Sequence, residues 1–451
     1  MSFGWTLVRL GDHVDSCLGK MLDAKKNKGT PQQYLGNSNV RWGDFDLVDL
    51  AEMKFEPHEE ERYSLQPGDL VVCEGGEPGR CAIWNGAQGI KIQKALHRIR
   101  PKKTLVNHYL YYWFCHAART GLLEPFFTGT TIRHLTGKAI AELAVPLPPL
   151  GIQRSIVNVL RSLDDRITLL RETNTLLEQI AQTIFKSWFV DFDPVRAKQE
   201  GRMPEGMDEE TAALFPDSFE ESELGMVPRG WRVMPLGEAV ETVGGATPDT
   251  KNVDYWSPEE YSWTSPKDLS GLQAPVLLKT ERKISASGLA KVSSGLLQEG
   301  TLLMSSRAPI GYLAITNTPM AINQGYIAMP PGSTLPPSYM LFWCQQNMEE
   351  IKNRANGSTF MEISKKAFRP IPVLVPDEPV LAEFVSIANS TLKRVIVNEE
   401  QAQILADLRD TLLPRLISGK LRLPEAETDD DLADLLQRDR DTGRTIDLCD
   451  L

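Results

Sequence analysis

LGIQRSIVNVLRSLDDRITLLRETNTLLEQIAQTIFKSWF, Leu150 to Phe189, contains no proline and one glycine, at its second position. Counting by sevens from Ile156 meets Leu163, Leu170, Leu177 and Ile184, and four residues beyond each lie Leu160, Ile167, Asn174, Ala181 and Trp188. Two such stripes make the face of a coiled coil, with one Asn on the seam. At 1.5 Å per residue the run spans roughly 60 Å as a helix. An ordinary amphipathic core helix is the plain alternative, but globular helices average about 11–12 residues. The length predicts a spacer, and the flanking sequence must say what it holds apart.

The chain of 451 residues has room for about two to four domains. Its hydrophobic share of 41% and charged share of 24% are those of a soluble globular protein. No apolar run approaches the roughly 20 residues of a membrane span. The opening MSFGWTLVRLGDHV has no signal-peptide core. Cysteines 17, 73, 81, 115, 344 and 449 form no CxxC pair, so reduced thiols in a cytoplasmic protein are expected. The net charge of −11 is unevenly spread. Gln199–Leu224 holds nine acidic residues against one basic, and Glu425–Leu451 ten against three, which leaves the remainder mildly basic. Both acidic segments read as solvated and flexible, with small apolar patches in the connector Asp191–Trp231 that dock loosely, and net charge neither supports nor excludes a nucleic-acid partner.

Self-similarity organises the chain. WTLVRLGDHV (Trp5–Val14) reads against WRVMPLGEAV (Trp231–Val240), and LQPGDL (Leu65–Leu70) against LQEGTL (Leu297–Leu302). HYLYYWF from His108 answers SYMLFWC from Ser338, and GTTIRHLTGKA from Gly129 answers GSTFMEISKKA from Gly357. Shifted by 228 residues, the seam falls on Phe384, Thr391, Asn398, Leu405 and Leu412, with Ala388, Val395, Ala402, Arg409 and Leu416 on the second stripe. Short β-branched runs such as DLVVC, CAIW, TLLM and YLAI, punctuated by Gly and Pro, predict an α/β (α+β) globular domain in each copy. The predicted layout is a first domain over 1–149, a long helix over 150–190, an acidic linker over 191–230, a second domain over 231–377, a second helix over 378–418 and an acidic tail over 419–451. Two lone helices of equal length have only each other to bury against. An antiparallel pair would carry the domains at opposite ends, a pseudo-two-fold dumbbell.

Catalytic constellations are missing. A methyltransferase needs a Gly-rich loop and a compact polar-Pro-Pro-aromatic element, and DFDP at Asp191–Pro194 lacks the second Pro and the aromatic. LTGKA has no P-loop spacing, and all six His lie within the first 134 residues without HExxH or a zinc pattern. Cys115 and His116, adjacent on a helix, point apart. The chain reads as a binding protein without catalysis, metal or cofactor of its own.

The residues resemble the specificity (S) subunit of type I restriction–modification systems over nearly the whole chain. The resemblance rests on the W…LG[DE] openings, the GTT and GST segments, PLPPLGIQRSIVNVLRSLDDRI leading into the first helix and FKSWFVDFDPV leaving it. LFPDSFEESELGMVPRGW and LRDTLLPRLISGKL complete the series, while the tail after Leu423 and the polar seam residues Thr391 and Asn398 depart from it. The resemblance implies two target-recognition domains, each reading half of a split double-stranded DNA sequence, held apart by paired helices that act as a ruler. It implies two modification subunits, which bind S-adenosylmethionine and methylate adenine at N6, and restriction subunits using ATP and Mg. The helices would pair and dock these partners through Ile156, Leu160, Leu163, Ile167, Leu170, Asn174, Leu177, Ile184, Trp188, Phe384, Val395, Leu405, Leu412 and Leu416.

Reading DNA needs phosphate contacts for position and base-edge contacts for sequence. KIQKALHRIRPKK supplies Lys91, Lys94, Arg98, Arg100, Lys102 and Lys103, as candidate phosphate contacts or as a solvated strand edge. Arg80 and Arg307 occupy similar Gly/Pro turns from which a guanidinium reads guanine, unless the turn itself is the point. Gln93 and Gln324 fall at nearly matching places and suit adenine, or a buried turn. Thr130, Thr131, Ser358 and Thr359 bond phosphates or cap the following turn, and Arg133 shares their segment. Three rival readings remain open: a single-chain restriction enzyme or methyltransferase, a non-DNA coiled-coil scaffold, and a specificity subunit for a fused modification–restriction enzyme.

Overall fold

Long helices dominate the computed structural model, which describes residues 4–23, 25, 27–357 and 361–423. One runs unbroken over Leu150–Phe189, the other over Glu378–Ile417 with Pro414 in its last turn. The chain divides into two compact units, residues 1–165 with 405–451, and residues 166–404. Each unit therefore contains a globular domain and its own portion of both helices.

In the first unit an antiparallel four-stranded sheet has the order Val14–Leu18, Leu96–Pro101, Leu70–Cys73, Cys81–Ile83. Its strand LVVC buries both faces: Leu70 and Val72 join Tyr109, Phe114, Ile156, Leu160 and Leu416, while Val71 and Cys73 join Leu35, Trp84 and Ile92. A strand with two covered faces loses the polar/apolar alternation and reads as a continuous apolar run. A three-stranded sheet follows, with Thr30–Leu35 antiparallel to Glu52–Phe55 and parallel to Lys91–Ile92. Leu7–Arg9 pairs with Ala144–Pro146, so the WTLVRLG segment closes on the proline-bearing strand. The Gly4 N–H donates to Ser418 O (2.8 Å), and the Arg422 guanidinium lies over the Trp5 ring (5.1 Å).

The second unit repeats this plan. Arg232–Pro235 pairs with Pro372–Val375, and Tyr261–Thr264 lies antiparallel to Arg282–Ile284 and parallel to Ala321–Ile322. A four-stranded sheet follows the order Val276–Leu277, Leu313–Thr316, Leu302–Ser305, Tyr326–Met329. Its opening residue Trp231 packs against Phe189 and Phe192, with ring centroids 5.8 and 6.0 Å apart. In each unit the opening Trp thus sits at the C-terminal end of a long helix.

The segment 191–230 is more ordered than a solvated connector with loosely docking apolar patches. It forms helices at Asp193–Gln199 and Glu209–Ala213 and a hairpin of Phe219–Ser222 with Gly225–Pro228. Val195, Phe215 and Val227 are buried in the main core of the second unit. Lys198 Nζ donates to the carbonyls of Ala212 and Phe215, and Asp208 caps the second short helix through Thr211 N (2.7 Å). Its acidic residues 200, 205, 208–210, 217, 220, 221 and 223 all face water. A sparse apolar face suffices for docking. The tail over 424–451 lies outside the described residues.

Within each unit the two helices lie against each other. In the first, Arg409 Nη1 donates to Asp164 Oδ1 (2.6 Å), and Tyr112 Oη to Asp164 Oδ2 (2.7 Å). In the second, the Asn398 amide donates to Asn174 Oδ1 (2.8 Å), and the Asn174 amide to Glu399 Oε1 (2.8 Å). Within the second unit Asn174 meets Asn398 and Phe185 meets Phe384, so numbers rise on one helix as they fall on the other and the pair is antiparallel there.

Candidate nucleic-acid interface

A two-way main-chain bridge stands at an equivalent place in each domain. Thr128 and His134 exchange hydrogen bonds of 2.9 and 2.8 Å around residues 129–133, and Asn356 and Glu362 exchange two of 3.0 Å around 357–361. Gly129 (φ +90°) and Gly357 (φ +127°) stand at equivalent places, where an L side chain would be strained. Thr130, Thr131, Ile132 and Arg133 all project into solvent. The capping role belongs to other residues: Thr136 Oγ1 accepts from Ala139 N (3.3 Å) and Ser364 Oγ from Ala367 N (3.2 Å). Thr130 and Thr131 are thus left free of the cap. Ser358 and Thr359 lie outside the described residues.

The basic run divides sharply. Lys91 is fully buried, its ammonium bonded to Glu60 Oε1 and Gly89 O, both at 2.6 Å. As a DNA contact Lys91 is corrected: its charge is spent inside the domain, and an ammonium removed from this pair would leave Glu60 unneutralised. The same pair, together with the Ser64 hydroxyl, holds the Glu60 carboxyl below its ordinary range. Arg98 is buried and bonded to Asp15 (2.9 Å) and Glu61 O (3.1 Å), and Arg100 forms a fork on Asp69 (2.7 and 2.9 Å). Both lie on an interior strand of the four-stranded sheet, where charges persist only when paired. Lys94, Lys102 and Lys103 are exposed, with Lys102 donating to Asp12 O (2.9 Å).

The two turn arginines are held by carboxylates. Arg80 donates to Glu77 Oε2 (3.1 Å) and Asn37 O (3.0 Å) and is largely covered. Arg307 stands 3.6 Å from Glu362 and is half exposed, beside a cavity of about 400 Å³ lined by Lys267, Tyr312 and Asn323. Bonds to Glu and backbone occupy part of the Arg80 fork, so only Arg307 presents its guanidinium readily.

Sheet register revises the matching of the glutamines. Gln93 N bonds Leu35 O (3.0 Å) as Asn323 N bonds Thr264 O (3.0 Å), which equates Gln93 with Asn323 and Lys94 with Gln324. Gln93 is half-buried, whereas Gln324 is exposed and its Oε1 accepts from Thr247 Oγ1 (2.7 Å). A glycine passes close to the same place in each domain. A Cβ on Gly19 would stand 2.4 Å from Gln93 O, and one on Gly245 would stand 1.8 Å from Ile322 O. These close approaches fix the segments that carry Lys20 and Thr247 against the strand ends. Thr247, Glu77 and Glu362 were not foreseen, since only the fold brings them to the polar residues they hold.

On the helices, Ile156, Leu160, Ile167, Leu170, Asn174, Trp188, Phe384, Val395 and Leu416 are buried, and Leu163, Leu177, Ile184, Leu405 and Leu412 half-buried. Asn398, a departure from an apolar seam, is fully buried and bonded to Asn174. Among the described residues no three His, Cys, Asp or Glu side chains converge as a metal site requires, and no helix is long and apolar enough to cross a membrane.

Comparison with known proteins places this arrangement. The family model of the type I restriction modification DNA specificity domain matches twice, over residues 4–179 and 228–410. The chain is 25% identical over 364 residues to the type I restriction enzyme MjaIX specificity subunit of Methanocaldococcus jannaschii, covering 79% of this chain and 78% of that one. It is 26% identical over 332 residues to the HindI specificity subunit of Haemophilus influenzae, covering 64% of this chain and 72% of the relative. In fold it is similar to the crystal structure of a type I restriction–modification S subunit from M. genitalium, with a TM-score of 0.54, 15% identity and coverage of 92% and 96%. Two copies of one domain, each with a matching helix, account for both family matches: the chain belongs to the type I restriction–modification specificity-subunit family.

Proposed function

We propose that this chain is the DNA-reading subunit of a type I restriction–modification complex, that each domain reads one half of a bipartite double-stranded target, and that the helices set the spacing between the halves. The observation that carries the reading is duplication with divergence. Both domains share one framework, yet the polar residues at equivalent positions differ, with Lys94 answering Gln324 and Arg80 answering Tyr312. Equal frameworks with unequal polar surfaces suit two different half-sites.

The helices also dock two modification subunits, N6-adenine methyltransferases, and through them the restriction subunits. Support comes from a second apolar stripe on each helix, turned away from the seam. Leu169, Leu176 and Ile180 are exposed on one, and Val397 and Ile404 on the other. A shift of 228 residues superposes Leu169 on Val397 and Leu176 on Ile404, and likewise Arg166 on Arg394 and Glu172 on Glu400 at the flanks. A heptad stripe with an arginine on one border and a glutamate on the other is a docking face for a partner helix. Its repetition suits two copies of one partner. In this reading S-adenosylmethionine, ATP and Mg bind the partners, the chain itself performs no catalysis, and the assembly works in the cytoplasm.

The test is to map methylated adenines in a genome carrying this gene, before and after Trp5–Pro149 is exchanged for the first domain of another family member. One half-site should change and the other persist. A methylome with both halves altered, or neither, refutes the assignment of one half-site to each domain.

A further inference from the structure

The second domain holds an arginine with no counterpart in the first. Arg282 opens an edge strand opposite Trp263, and its guanidinium lies 3.4 Å from the centroid of the Trp256 ring and 5.5 Å from that of Trp263. The two indoles meet edge to face at 5.2 Å. Each is locked by its own N–H, Trp256 to Asp249 O (3.1 Å) and Trp263 to Ala246 O (3.2 Å). Between those two carbonyls stands Thr247, whose hydroxyl bonds Gln324. The aromatic platform and the exposed amide of Gln324 are therefore tied to one short stretch of chain.

Arg282 is exposed, and among the described residues no carboxylate reaches ion-pair distance of it. Neighbouring Glu281 is engaged by Lys267 (2.8 Å). This contrasts with Arg80, Arg98, Arg100 and Arg307, all of which face an acid. Stacking fixes the plane of a guanidinium while leaving its N–H fork free, the state in which arginine binds a phosphate with least loss of entropy. Topology adds the position. Arg282 is level with Trp263 and Ala321 in the three-stranded sheet, and Gln324 lies in the turn that leaves the opposite edge strand, Ala321–Ile322, at that same end. Two strand spacings set the edge strands about 10 Å apart laterally, the scale of the roughly 12 Å width of a DNA major groove. The equivalent position in the first domain is Ala51, opposite Tyr34, so the device is not part of the shared framework.

We propose that Arg282, held flat on Trp256, grips a DNA phosphate bordering the groove into which Gln324 projects, as a positioning contact and not as a reader of bases. The proposal rests on the reading of this chain as a DNA-recognition subunit. Its test uses the complex assembled with its partner subunits, two duplexes of equal length (one carrying the mapped target, one unrelated) and salt titration of binding.

Replacing Arg282 by Met keeps an apolar cover on the indoles and removes the charge. We expect the affinity of R282M to fall several-fold on both duplexes alike, and the slope of log affinity against log salt to become shallower by about 0.9. Between 50 and 200 mM salt the variant then loses about 3.5-fold less affinity than the parent. R282K should restore the slope. An unchanged slope in R282M, a loss confined to the target duplex, or a lysine variant as shallow as the methionine one would each overturn the assignment. A parent complex that binds both duplexes equally would instead sink the DNA-recognition reading, so the two failures are distinguishable.

Discussion

The Asn398 side-chain amide donates to Asn174 Oδ1 at 2.8 Å between the two long helices, and both side chains are buried. An apolar seam tolerates sliding by a heptad, because leucines are interchangeable. A buried amide pair does not, since any other register strands polar groups in an apolar contact. Asn174→Ala should therefore lower stability by about 1–3 kcal/mol, the cost of an unsatisfied buried amide. Replacing both residues by Leu should cost far less, or even stabilise, while loosening the register. Denaturant midpoints of the two variants, with cysteine crosslinking across the seam to read register, check both statements. A double variant as unstable as the single one would show that packing, and not the amide pair, dominates here.

The acidic connector supplies a second prediction. Phe215 is buried, with its ring 5.0 Å from that of Trp188 at a near-perpendicular angle. Phe215→Ala should destabilise the second unit by about 3–5 kcal/mol, the usual range for a deleted core aromatic. Urea unfolding followed by the fluorescence of Trp188 and Trp231 measures it, with limited proteolysis at residues 199–224 as an independent readout. An effect below about 1 kcal/mol would mean that the connector docks without bearing on the core.

These cases show where sequence is legible. The heptad seam and the repeat are written in period and order, which survive without knowledge of tertiary contacts, and the strands DLVVC and TLLM are visible as apolar runs. The fate of a charge is different. Lys91 looks like a surface lysine until Glu60, distant in sequence, is placed beside it. Arg282 looks like an edge-strand cation until Trp256 is folded beneath it. A linker rich in acids reads as solvated with loose apolar patches, because composition does not say how deeply residues such as Val195, Phe215 and Val227 are buried. Pairing, stacking and docking belong to the fold, and no local window contains them.

His97 predicts a pH dependence. It is buried beside Gly137 on an interior strand, and burial drives its pKa from an ordinary 6.5 down to about 4. The folded protein thus keeps the imidazole neutral where the unfolded chain already takes up a proton. The stability this contributes is complete above pH 6.5, declines as pH falls, and is gone below about 4. The slope is at most about 1.4 kcal/mol per pH unit. His97→Leu should flatten this part of the stability profile of the first unit in a series of urea melts from pH 7 to pH 4. An unaltered slope in the variant would assign the acid sensitivity to other groups.

The exposed loop of the first domain offers a direct check on DNA contact. Arg133 projects into solvent between Ile132 and the closing bridge at His134. In the assembled complex Arg133→Ala should weaken binding about threefold at moderate salt and make the salt dependence shallower by nearly one ion. If it instead relaxes the preference at one base pair, Arg133 reads a base. If binding is untouched, the loop does not face DNA.

The last prediction concerns the helices as a ruler. Asn174 faces Asn398, and Asp164 faces Arg409, so residue numbers on the two helices sum to nearly the same value at both contacts. A shortening that preserves pairing must therefore remove matched heptads. Deleting Arg171–Leu177 together with Val395–Gln401 takes seven residues from each helix and removes both seam asparagines, so neither is left without its partner. Seven residues are close to two turns and rotate the stripe by only about 20°. They shorten each helix by about 10 Å, roughly three base pairs of B-DNA. The half-sites should stay unchanged while the spacer between them shortens by up to about three base pairs, as read from the methylome. Deleting four residues from one helix alone is the control: it turns the downstream stripe off the seam and should abolish assembly. A paired deletion that still methylates the original sites at the original spacing would show that the helices do not measure the target.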